Sequence, residues 1–110
     1  MKKTTKIKIG GEERPIKFGM NQSILYTELR GISVTKMNEE FASFGDGTFN
    51  GSEIRDLIWS SLADGARVEG LDFEYTNLDV GDWMEDSEPD FLEKFMVELM
   101  KTLPKESKKK

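Results

Sequence analysis

Apolar and polar residues follow two rhythms along this 110-residue chain, and the changes of rhythm mark its elements. The longest regular stretch is Ser52–Ala66, SEIRDLIWSSLADGA, where Ile54, Leu57, Ile58, Leu62 and Ala66 recur at three- and four-residue steps. That spacing predicts an amphipathic helix with one buried face. Ser52 stands where its N-cap belongs, Glu53 and Asp56 put negative charge near its positive end, and Gly65 is placed to stop it. Ser60, Ser61 and Ala63 are small and admit a close neighbour. Trp59 stands to one flank, where it closes the core edge or meets a partner.

Before this helix, residues 5–18 alternate with a period of two on each side of Gly10-Gly11, which predicts a β-hairpin. Ile7 and Ile9 share a face with Ile16 and Phe18, and Pro15 puts the second strand at an edge or marks its start. Asn21 or Ser23 then caps a short helix carrying Ile24, Leu25, Tyr26 and Leu29; Gly31 ends it and Ile32 folds back on it. Thr35 is placed to cap the next helix, whose buried stripe is Met37, Phe41 and Phe44 and which closes at Gly45-Asp46-Gly47. Residues 45–52 read as a turn and a cap. Their partial likeness to a calcium loop fails at Leu57, where a bidentate Glu is needed.

After the central helix, 67–75 is a connection in which Leu71, Phe73 and Tyr75 alternate. Thr76 and Asp79 resemble a capping box for a brief helix with Val80, Trp83 and Met84 inside. Ser87-Glu88-Pro89-Asp90 starts a last helix with Phe91, Leu92, Phe95, Met96, Leu99, Met100 and Leu103 as its apolar face. Pro104 ends it, and 105–110 read as a disordered basic tail. The expected fold is mainly α with a little β (α+β): an N-terminal hairpin, 5–18, packed on about four to five helices within 21–103, in a single domain spanning 1–104.

Composition narrows the chemistry. Hydrophobic residues are 36% of the chain and charged residues 34%, so the core is small, or another molecule completes it. With no Cys and no His, Ser–His and Cys–His catalysis and ordinary zinc sites drop out. The glycines of 45–51 lack the spacing and the Lys of a phosphate loop, and helix surfaces account for the acids without a catalytic pair. No enzyme and no cofactor is expected. Met1-Lys2-Lys3 is not followed by an apolar run, so neither a signal peptide nor a membrane span is expected, and the protein is expected to be soluble and intracellular. The net charge is −5, with eleven acids against Lys94 alone between Glu69 and Glu98, which argues against nucleic acid and allows a basic protein partner.

The last helix is the most informative feature. Its apolar face is wide, so one side covers the core and Met96 and Met100 are left toward another protein. Trp59, Trp83, Phe91, Phe95, Met96 and Met100 are the candidate partner-binding residues.

The order of pieces, KIKIGGEERPIKFGM, SILYTELRGIS, IRDLIWSSLADGAR and TNLDVGDWMED, resembles the tail assembly chaperones of long-tailed bacteriophages and prophages. The similarity spans about residues 6–100, and its most specific parts are Glu28–Ser33 and Leu57–Gly65. The resemblance implies a small acidic helical protein that coats the tape-measure protein in the host cytoplasm, helps recruit tail-tube subunits, self-associates and is absent from the finished virion. It also implies a longer frameshifted form, with which Lys108-Lys109-Lys110 is compatible. A small acidic adaptor or inhibitor of a basic protein, or a minor structural tail component, are the rival readings.

Overall fold

The structure is a computed structural model that describes residues 4–102. Leu103, Pro104, the basic tail and Met1-Lys2-Lys3 lie outside the described residues. A two-stranded antiparallel hairpin, β1 (Thr5–Ile9) and β2 (Glu12–Ile16), precedes five helices: α1 (Met20–Arg30), α2 (Val34–Asp46), α3 (Gly51–Glu69), α4 (Asn77–Glu85) and α5 (Phe91–Thr102). The fold is α+β with the hairpin packed on the helices, as expected.

Gly10 and Gly11 turn the hairpin with φ of 65° and 83°, the left-handed pair that a tight two-residue reversal requires. Ile7, Ile9 and Ile16 are buried by this pairing, and Phe18 packs half-buried just past the strand, its ring 5.6 Å from that of Phe95.

The central helix is longer than its pattern. Asn50 is its cap, not Ser52: the Asn50 side chain accepts from the Glu53 N–H, and Glu53 accepts from the Asn50 N–H, both at 2.9 Å. Gly65 does not stop α3, which runs on to Glu69 and ends at Gly70. Gly65 is instead where β2 crosses. A Cβ there would fall on the Pro15 carbonyl and the Ile16 backbone. Ser61 lies in the same crossing and its carbonyl accepts from the Lys17 N–H at 3.1 Å. Ser60 gives α1 its close approach and accepts from Gln22 at 2.9 Å. Small residues on α3 thus set how near its neighbours come, and Leu57, Ile58 and Leu62 fill the core beneath them.

Other starts also shift. α1 begins after Gly19 rather than at Asn21 or Ser23, and it buries Gln22 and Tyr26 while Ile24 stays exposed. α2 is capped by Ser33, which accepts from the Lys36 N–H, rather than by Thr35. The Thr76–Asp79 box forms as expected, with Val80 buried beneath it. The 71–76 connection forms no strand. No helix among the described residues is long and apolar enough to cross a membrane.

Candidate functional site: a methionine-lined groove

α5 buries one narrow stripe. Phe91, Phe95 and Leu99, spaced four apart, point into the core, and Phe95 is sealed completely. Leu92 and Met96 follow on one flank, half-buried. Beyond them Val97 and Met100 are 49% and 40% exposed. The apolar arc of this helix is wider than the core it covers.

Next to that flank lies a groove of about 300 Å³ between α1, α2 and the C-terminal half of α5. Leu57 and Phe44 lie at its base, Phe18 and Leu99 close one side, and Met37 and Phe41 close the other. Met20 stands at the rim, 77% exposed. Leu99, which lines the groove, lies three after Met96 and one before Met100 on α5. Met20 and Met37 border the groove, and Met96 and Met100 line an apolar patch of α5 beside Glu93, Val97 and Lys101, so four of the chain's six methionines lie on these two surfaces. Unbranched thioethers refit to irregular partners at little cost, so such a surface suits an apolar helix face.

The α2 wall is held by buried charge. Tyr26 donates to Glu40 Oε1 at 2.7 Å, and Arg30 lies 2.8 Å from the same carboxylate and 2.8 Å from Asp56 Oδ2. Asp56 Oδ1 also accepts from Arg55 and Asn77, each at 2.9 Å. The network joins α1, α2, α3 and α4. Burial, with the hydrogen bond to Glu40, pushes the Tyr26 phenol far above its ordinary range. Burial pulls the Arg30 guanidinium down, but its bonds to Glu40 and Asp56 outweigh this and hold it raised, so it stays charged.

The six candidate residues are not brought together. Phe91 and Phe95 are core, out of a partner's reach. Trp59 is half-buried and donates to the Tyr75 carbonyl at 2.8 Å, closing the core edge. Trp83 lies over the hairpin turn, 4.3 Å from the Arg14 guanidinium and 4.8 Å from the Tyr75 ring. Of the six, Met96 and Met100 share an apolar patch on α5. Sequence reasoning missed Met20, treated Met37 and Phe41 as plain core, and passed over Glu40. The signal for Glu40 was present: it sits three after Met37 and four before Phe44, an acid inside the apolar stripe.

The chain matches no family model, no curated protein and no solved structure.

Proposed function

We propose that this protein is a non-enzymatic binding protein that shields apolar helical surface on another protein, and that it acts as a tail assembly chaperone on a tape-measure protein in the host cytoplasm. The observation that carries this reading is the open groove bordered by Met20 and Met37, together with the apolar Met96 and Met100 patch on α5, with Met20 and Met100 exposed. The resemblance of the sequence to the phage chaperones supplies the partner. A tape-measure protein is a long helix with apolar patterning, which aggregates if bare. Many copies of a small domain gripping it weakly cover it by avidity and still let go when the tube forms. Recruitment of tail-tube subunits belongs to the same proposal.

The test is co-expression with a tape-measure protein. The expected result is a soluble complex that co-purifies. A tape-measure protein that stays insoluble, with no complex recovered, contradicts the reading.

A second reading, an acidic adaptor for a basic protein, is favoured by one feature. Asp82, Glu85, Asp86, Glu88 and Asp90 are all exposed around the α4–α5 junction, and among the described residues only Asp90 has a cation against it, Lys94 at 3.4 Å. That reading predicts binding that collapses in high salt, whereas binding through the methionine groove persists.

A further inference from the structure

β1 has an unpaired outer edge. In a hairpin closed by a two-residue turn, the residues flanking the turn exchange both backbone hydrogen bonds, and bonded and non-bonded pairs alternate from there. Ile9 and Glu12 flank the turn, so Ile9, Ile7 and Thr5 bond toward β2, and the N–H and C=O groups of Lys6 and Lys8 point outward. Among the described residues these groups meet no backbone partner. The outer edge of β2 is different: Pro15 offers no donor there, and α3 covers it.

The edge of β1 opens on a groove of about 660 Å³ whose far wall is α5. Acids dominate the lining: Glu93 and Glu98 on α5, Glu88 and Asp90 just before it, and Glu13 on β2. Glu13, Glu88 and Glu93 are exposed and have no ion pair among the described residues. Of the lining cations, Lys94 is held by Asp90 at 3.4 Å. Lys6 and Lys8 stand on the outer face of the hairpin, because Ile7 between them faces the core that Phe91 and Phe95 of α5 close. Directly opposed residues of an antiparallel pair share a face. A residue across from Ile7 therefore turns toward α5 and its acids, and residues across from Lys6 and Lys8 turn away from them.

We propose that the free edge of β1 takes an extended basic segment of a partner protein as an added antiparallel strand. Its backbone pairs with the outward groups of Lys6 and Lys8, its Lys or Arg residues sit across from Ile7 and meet Glu93 and Glu98, and its alternate residues are polar and uncharged. Other occupants fail on charge. A second β1 edge would oppose Lys6 and Lys8 with lysines. The acid-rich stretch from Glu69 to Glu98 would meet an acidic wall. In every register of residues 105–110 that spans both Lys6 and Lys8, a lysine falls across from one of them, because Lys105, Lys108, Lys109 and Lys110 leave no uncharged alternation. The inference concerns an extended occupant and a different face from the methionine groove, so it stands whatever fills that groove. It also asks for more than the acidic-adaptor reading, since backbone pairing is required as well as charge.

The test is fluorescence anisotropy on the full chain, with a labelled, end-blocked peptide of four Thr-Lys repeats as the probe. Saturable binding with Kd below about 1 mM at low salt is expected. The same peptide N-methylated on its Thr residues, whose amides face β1, keeps its charge and is expected to bind about tenfold or more weakly. N-methylation on its Lys residues is expected to matter little. Glu93→Lys with Glu98→Lys is expected to cost about tenfold or more with circular dichroism unchanged, and Asp82→Asn with Glu85→Gln, outside the groove, is expected to cost nothing. No saturable binding, or a double variant of the α5 acids that binds as before, would overturn the proposal. Equal binding of the Thr-methylated peptide would overturn it while leaving the acidic-adaptor reading standing. Binding that appears only once Lys108, Lys109 and Lys110 are changed to Ser would make the chain's own basic residues the occupant and overturn it as well.

Discussion

Tyr26 is neutral, buried and hydrogen-bonded to Glu40, and its raised pKa makes the fold sensitive to alkali. The unfolded phenol ionises near its ordinary value of 10.0, whereas the folded phenol ionises only well above it. The stabilisation is therefore complete below about pH 10 and is lost as pH rises past that value. Melting curves from about pH 7 to about pH 11 are expected to show a steeper alkaline fall for the wild type than for Tyr26→Phe. At neutral pH that variant is expected to lose about 1 kcal/mol with its hydrogen bond. Glu40 carries more, since it accepts from Tyr26 and pairs with Arg30. Glu40→Ala is expected to cost about 2–4 kcal/mol by urea unfolding, and Glu40→Gln less, because the amide still accepts from Tyr26. Glu40 was readable as an odd acid in a stripe. Its partner Arg30 was not, because nothing local links residues 30, 40 and 56.

Within elements, the crossing of β2 over α3 is the tightest joint. Gly65→Ala drives a methyl into the Pro15 carbonyl and the Ile16 backbone, so the helix or the strand must shift. A loss of about 3 kcal/mol or more in unfolding free energy is expected. A loss below about 0.5 kcal/mol would mean the two elements part easily. This joint also shows what patterning leaves out. The period of α3 was legible from Ile54 to Ala66, but Gly65 resembles a helix stop until the strand that crosses it is known. The cap is a different matter: Asn50 and Glu53 form a local box, and it was legible, but Ser52 competed for the same role. In α1, Ile24 and Leu25 are the greasier residues, yet Gln22 and Tyr26 face inward, because Ser60 and Glu40 satisfy their polar ends.

At the scale of the whole molecule, the hairpin and helices close one core, and part of the apolar surface left over lines the groove between α1, α2 and α5. The α5 side of that surface was legible, since a seven-residue apolar face on a single helix is more than a small core needs. Met20 and Met37 belong to other helices, and only the fold sets them beside Leu99. Shielding of apolar helices through this groove is the central claim, and Met20 and Met100 are exposed enough to change without disturbing the core. The decisive measurement is calorimetric titration of a soluble helical segment of a tape-measure protein into the wild type and into a Met20→Asp, Met100→Glu variant of equal melting temperature. The account predicts at least about a tenfold loss of affinity in the variant. Equal affinity for both proteins would contradict it.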